Sequence, residues 1–405
     1  MKPIQNTESV GFSETRLEYI TDWMNRYVED GKLAGAQTVV ARGGQIAYSK
    51  SVGQADRENN IPWKENTMAR FYSMTKPISS IALMMLYERG LFHLDDPVEE
   101  FISAFKDMQV LRPQARSIDD TEPATSKITI HNLLTHMSGM TYGFNEGVLG
   151  DHYTASKMDF GPTRGSLESQ IEKLAAMPLL FNPGERWNYG VSTDVVGRLV
   201  EVISGQDLRT YFYENIFQPL GMVDTDFGVP AEKIDRYATA YGVNEAGETI
   251  VMDPRTKSAF QRENVVCYSG GGGLISTASD YLKFAEMIRK LGEYDSGHLL
   301  GSRTMDFMTQ NHLDGDLANY GQPVFSEVSF VGVGFGLGGW VMLEPALSQM
   351  MGSPGDFGWG GMASTVFWVD PVEDMTVLFL TQFIPSSHYP LRKELRSLVY
   401  QALID

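Results

Sequence analysis

The stretch that decides the fold is Phe71–Gly90, FYSMTKPISSIALMMLYERG. Ile78, Ile81, Ala82, Met85 and Leu86 recur at helical spacing, and Gly90 is a natural stop, so the run reads as one apolar helix. Pro77 belongs in its first turn, where a missing N–H leaves no hydrogen bond unmade. Ser73 then stands at or just before the helix N-terminus, with Lys76 one turn on. Residues i and i+3 share a face, which sets the ammonium beside the hydroxyl.

That pairing has a chemical use. A serine hydroxyl is a poor nucleophile until a neighbouring base takes its proton, and a lysine held out of water can serve as or assist that base. The helix N-terminus adds N–H groups and partial positive charge that favour an oxyanion. Spacing alone does not decide the matter. Ser103-Ala104-Phe105-Lys106 has it too, after the acidic run DDPVEE and with no comparable apolar helix behind it.

The whole chain sets the frame. Its 405 residues, 42% hydrophobic and 21% charged, are enough for a sizeable core in two domains or one large one. A net charge of −18 without any basic stripe argues against nucleic acid or an anionic membrane surface as partner. Cys267 is the only cysteine, which leaves no intrachain disulfide and no cysteine-rich zinc site. His93, His131, His136, His152, His298, His312 and His388 form no tight ligand spacing, so neither a metal nor another cofactor is expected. The N-terminus has no apolar signal-peptide core and no stretch is long enough to span a bilayer; a cytoplasmic location is the expectation.

In order along the chain, residues 13 to 30 read as an amphipathic helix capped by Ser13. AGAQTVVARGGQIAYSKSVG reads as two strands around a tight turn at Arg42-Gly43-Gly44. From LDDPVEEF to about residue 230 the pattern is mostly helical with long loops. Within it ITIHNLLTHMSGM is a helix expected to end at Ser138-Gly139, and STDVVGRLVEVISGQ one that ends at Gly205. YSGGGGLISTASDYLKFAEMIRKLG reads as a glycine-rich turn, a short strand and a helix capped near Ser279 or Asp280. GLGGWVML, MASTVFWVD and MTVLFLTQF are β-rich, the last two joined by a turn at Pro371–Asp374, and LRKELRSLVYQALI closes the chain as a helix. The expected fold class is α+β: an antiparallel sheet flanked by helices, built from residues 1–95 and 250–405, with a mainly helical lobe of residues 96–249 inserted and the active site between them.

SMTKPISS, LDDPVEEF, ITIHNLLTHMSGM, FNPGERWNYGVSTDVVGRLVEVISG, FQPLGMVDT, GGGGLISTASDYLKFAEMI and FGWGGMASTVFWVDP occur in this order. Together they resemble the serine β-lactamase-like superfamily through nearly the whole chain. The resemblance is nearest to the class C β-lactamases and the family VIII carboxylesterases. It implies that Ser73 is the nucleophile and Lys76 its partner. The family's tyrosine follows a Pro-Gly-x-x-Trp loop, which makes Tyr189 of PGERWNYGVS its counterpart; an ammonium stabilises a nearby phenolate, so such a tyrosine can act as base. Tyr213-Glu214-Asn215 matches the family's Tyr-x-Asn literally but lies inside a helical run, and is set aside. Val191 stands where that motif has asparagine, a group that helps hold the substrate amide in β-lactamases.

No Lys-Thr-Gly occurs, and by position its counterpart is Trp359-Gly360-Gly361. The glycines are expected to let substrate approach the strand, and the Met362 N–H to join that of Ser73 as the oxyanion hole. Tyr72, Val191, Trp359, Gly360 and Gly361 are the expected substrate contacts. Tryptophan in place of the cation that receives a lactam carboxylate suits an uncharged acyl or alcohol group. The run Gly270–Gly273 lacks a phosphate-binding pattern and reads as a tight turn. No Gly-x-Ser-x-Gly elbow exists, so His136 reads as structural. The resemblance implies a serine hydrolase cleaving short-to-medium-chain carboxylic esters through an acyl-enzyme, with a small-molecule ester as partner. Acyl transfer to an alcohol and weak lactam opening are compatible with it. A β-lactamase or D-amino-acid peptidase is the enzymatic alternative, and a non-catalytic penicillin-recognising-type binding protein the other.

Overall fold

The computed structural model describes residues 3–321, 324–325 and 327–404. Strands β1 (Gly35–Arg42), β2 (Gln45–Asp56) and β3 (Ile61–Pro62) come from the first part of the chain. The last part supplies β4 (Val333–Phe335), β5 (Trp340–Met342), β6 (Phe357–Gly360), β7 (Val366–Asp370) and β8 (Met375–Thr381). They form one eight-stranded antiparallel sheet in the order β4-β5-β6-β7-β8-β1-β2-β3. The two ends of the chain meet at its centre, where Ala36 pairs with Thr381 and Arg42 with Met375. Gly43 and Gly44 turn β1 into β2 at φ +58° and +76°, the left-handed pair a two-residue hairpin requires.

Both faces of this sheet are covered, which is why β1 and β8 are buried along almost their whole length. Successive side chains alternate in direction. Val40, Val377 and Phe379 pack with Leu17, Ile20 and Trp23 of the Glu14–Glu29 helix and with Leu391, Leu395 and Val399 of the Leu391–Tyr400 helix. Val39, Leu378 and Leu380 face the larger core, which holds Phe284 and Ile288 of the Ala278–Arg289 helix and Ile78 and Ile81 of the Thr75–Tyr87 helix. Burying each such side chain contributes about 1.5–3 kcal/mol. Ser13 caps the first helix, accepting from the Arg16 N–H at 3.4 Å.

Two local expectations are corrected. The helix in ITIHNLLTHMSGM spans only Ile130–Leu134. Its continuation is drawn off by the loop bearing Tyr189: the Asn188 N–H donates to His136 O at 3.0 Å and the Gly184 N–H to Met137 O at 2.8 Å. The late helix is capped by Thr277, whose side chain accepts from the Asp280 N–H, because Ser279 and Asp280 already lie within its first turn. The Ser192–Ser204 helix does end at Gly205, in the left-handed conformation, and it packs against the Thr75–Tyr87 helix. Among the described residues no helix is long and apolar enough to cross a membrane.

Candidate active site

Ser73 lies in a single 3-10 turn, Tyr72–Met74, that runs straight into the Thr75–Tyr87 helix. Tyr72 is held at φ +44°, a conformation that persists only where surroundings over-determine it. Those surroundings are the strand and helix after the glycine run. The Phe71 N–H donates to Leu274 O at 3.0 Å, the Leu274 N–H to Thr75 Oγ1 at 3.1 Å, and the Tyr281 hydroxyl to Met74 O at 2.8 Å.

Lys76 is fully buried. Its Nζ meets three oxygens: Ser73 Oγ at 3.2 Å, Tyr142 Oη at 2.8 Å and Gly271 O at 2.7 Å. Tyr189 reaches the serine from the opposite side, its hydroxyl 2.7 Å from Ser73 Oγ. Behind it the Trp359 indole N–H points at Tyr189 Oη at 3.4 Å. A chain of polar contacts therefore runs Trp359–Tyr189–Ser73–Lys76 with the serine oxygen inside it. Such an arrangement can take a proton from Ser73 and return it to a leaving group.

The electrostatics come from buried neighbours. Asp194, in the first turn of the Ser192–Ser204 helix, accepts from Ser269 Oγ at 2.5 Å and from the Gly271 N–H at 3.1 Å. Burial pushes its carboxyl up, against those two donors and Lys76. One peptide thus links the pair: Gly271 gives its N–H to Asp194 and its carbonyl to Lys76. Burial pushes the Tyr142 phenol well up, with the Tyr189 and Asp194 charges adding to it, so Tyr142 stays a neutral phenol that supports the lysine. His136 is held well below the ordinary imidazole range by burial and then by the Lys76 ammonium. Its ring packs on those of Tyr189, Phe335 and Trp187, a packing position with no contact to Ser73.

A pocket of about 860 Å³ opens over Ser73, and Tyr72, Tyr142, Phe144, Tyr189, Trp359 and Met362 are among its lining residues. Gly360 and Gly361 also line it, but the room their missing side chains leave is taken by protein. A Cβ on Gly360 would stand 2.6 Å from Arg392 Nη2, and one on Gly361 2.4 Å from Phe71 O. Both glycines thus serve internal packing. The Gly361 N–H is committed to Thr365 O at 2.9 Å, and the next residue, Met362, lines the pocket and is partly exposed. Val191 departs from expectation: it is fully buried in the core and outside the pocket lining, because it caps the helix that follows.

Of the two rival motifs, Ser103 and Lys106 are exposed in and beside a 3-10 turn, and Tyr213 is 57% exposed. Neither reaches the pocket. Sequence reasoning missed Tyr142, Asp194 and Gly271. The glycine run was the available signal, read as a bland turn when its carbonyl holds Lys76. Among the described residues no three His, Cys, Asp or Glu side chains could hold a metal ion.

The beta-lactamase family model matches residues 20–400. Esterase EstB of Burkholderia gladioli is 32% identical over 408 residues, covering 95% of this chain and 94% of the esterase. Monacolin J acid methylbutanoyltransferase of Aspergillus terreus is 29% identical over 385 residues, 88% of each chain. Among solved structures, EstCE1, described as a hydrolase with promiscuous acyltransferase activity, superposes with TM-score 0.79 at 26% identity, covering 97% of this chain and 99% of that one. The likeness spans the family VIII esterases and their acyltransferase kin alike, and the chain belongs to the beta-lactamase family, as a serine hydrolase or acyltransferase built on the β-lactamase fold.

Proposed function

We propose that this protein is a carboxylesterase that cleaves uncharged, short-to-medium-chain esters through an acyl-enzyme on Ser73. The observation that carries this reading is the position of Trp359. Where the lactam-directed members have a strand cation, an indole that is 3% exposed closes the contact path to Tyr189 and Ser73. Ser73 Oγ attacks the ester carbonyl carbon, and its proton passes to the Tyr189–Lys76 pair. The oxyanion is held by the N–H groups of Ser73 and Met362. Collapse breaks the acyl C–O bond, and the departing alkoxide takes the proton. Water, deprotonated by the same pair, attacks the acyl carbon; the bond from that carbon to Ser73 Oγ breaks, the pair returns the proton to Ser73 and the acid leaves. An alcohol in place of water gives acyl transfer, a reading that the methylbutanoyltransferase relative and EstCE1 support.

Wall residues drawn from 142–164 and Tyr189 on one side, and Tyr72, Ser73 and 359–362 on the other, support a site between an α/β lobe of residues 1–95 and 250–405 and an inserted lobe of 96–249. Arg164, Arg392 and Lys157 also reach the wall; Arg164 pairs with Asp159 and Arg392 with Glu327, and none of the three belongs to the strand segment that carries Trp359. At the strand position itself Trp359 supplies no cation for a lactam carboxylate, and a carboxylate left unpaired there costs several kcal/mol. The test is a panel of p-nitrophenyl esters of rising chain length beside a penicillin and a chromogenic cephalosporin. Esters should be preferred by several orders of magnitude in kcat/KM, and Ser73→Ala should abolish turnover with the melting temperature retained. Faster penicillin hydrolysis than any ester in the panel would end the esterase assignment.

A further inference from the structure

The space at Gly360 is filled by the side chain of Arg392, which opens the C-terminal helix Leu391–Tyr400. Arg392 is 8% exposed. Its Nη2 donates to Gly361 O at 3.0 Å and to Thr365 O at 3.4 Å, while Nη1 pairs with Glu327 at 3.3 Å. Those two carbonyls belong to the two ends of one turn, which the Gly361 N–H closes onto Thr365 O. Met362 lies between them. The same turn presses on the nucleophile's segment, since a Cβ on Gly361 would meet Phe71 O at 2.4 Å. The separation of the Ser73 and Met362 N–H groups is thus set by two contacts: Gly361 on Phe71 in front, and the guanidinium on Gly361 and Thr365 behind.

We propose that Arg392 is a positioning residue for the oxyanion hole, through which the C-terminal helix aims the Met362 N–H at the reacting carbonyl. This rests on the acyl-enzyme reading above and deepens it. The guanidinium holds both carbonyls through Nη2 while Nη1 reaches Glu327, a span over two nitrogens that the single nitrogen of an ammonium does not reproduce. Gly360 is required at its place because any side chain there would expel that guanidinium.

The test compares Arg392→Met, made together with Glu327→Gln so that no buried carboxylate is stranded, with Arg392→Lys and Gly360→Ala. On a p-nitrophenyl ester, kcat should fall roughly 10- to 100-fold in the Met variant while KM stays close to the parent value. Affinity for an alkyl boronic acid, whose tetrahedral adduct on Ser73 places an oxygen in the hole, should fall by a similar factor. Arg392→Lys should recover part of both losses, and Gly360→Ala should reproduce them. A raised KM with kcat kept would make Arg392 a simple wall residue, and an unaffected Gly360→Ala enzyme would also overturn the inference. If the Met variant does not fold, the Lys and Ala variants carry the same contrast. A parent enzyme inert to every ester and to the boronic acid would instead sink the acyl-enzyme reading, and this inference with it.

Discussion

Two tyrosines crowd the reacting serine, and their partners separate their roles. Tyr189 touches Ser73 Oγ, whereas Tyr142 touches Lys76. Tyr189→Phe keeps the ring against Trp359 and removes only the proton-carrying oxygen, so kcat/KM should drop roughly 10²-fold or more. Tyr142→Phe leaves the stacking on Phe144 and takes one of three acceptors from the ammonium, a loss of roughly 10-fold. Tyr213→Phe, at an exposed position, should stay within a few-fold of the parent. A Tyr142 variant more damaged than the Tyr189 variant would exchange the two assignments.

At the scale of elements, the segment Gly270–Gly273 acts as a brace. A Cβ on Gly271 would stand 2.4 Å from Asp194 Oδ2, so Gly271→Ala must move either the carboxylate or the carbonyl that holds Lys76. Overpacking of this kind costs about 1–3 kcal/mol, and the displaced carbonyl should cost activity beyond that. Ser13→Ala provides the contrast: it removes a helix cap worth about 1 kcal/mol on the far side of the sheet. Thermal melts and ester turnover measured on both should show comparable loss of stability but loss of activity in Gly271→Ala alone. Equal activity in the two would remove Gly271 from the machinery. Another element, the loop bearing Tyr189, explains the shortened Ile130–Leu134 helix, because it competes for the backbone groups on which a longer helix would draw.

Across the whole molecule, His131 and His312 join segments far apart in sequence, Nε2 to Nδ1 at 3.3 Å, and His312 Nε2 contacts Phe307 O at 2.8 Å. Burial, then the neighbouring His312, lowers His131 to about 4 from the usual 6.5, and burial also lowers His312. The unfolded chain therefore binds more protons than the folded one between those values. Stability contributed by the pair is complete above about pH 6.5 and is lost as pH falls towards 4. The melting temperature should decline through that window, and His131→Gln should flatten the decline. An acid limb of unchanged slope in that variant would place the sensitivity elsewhere, His136 being the next buried imidazole.

What the sequence by itself determined was whatever depends on near neighbours along the chain. The apolar period after Ser73, the glycine hairpin after Arg42, the Ser13 cap, the two β-rich runs joined at Pro371–Asp374 and the stop at Gly205 are each set by the local conformational preferences of a few adjacent residues, and each is found in the structure. The ordered motifs added Tyr189 and Trp359, which the fold brings to Ser73 from more than a hundred residues away. Only the tertiary structure decided that Lys76 rests on Tyr142 and Gly271, that Asp194 braces the latter, that Val191 turns into the core, and that Gly360 makes room for Arg392. A buried donor takes whichever acceptor packing places within about 3 Å, and that choice is made between segments whose own sequences carry no mark of each other.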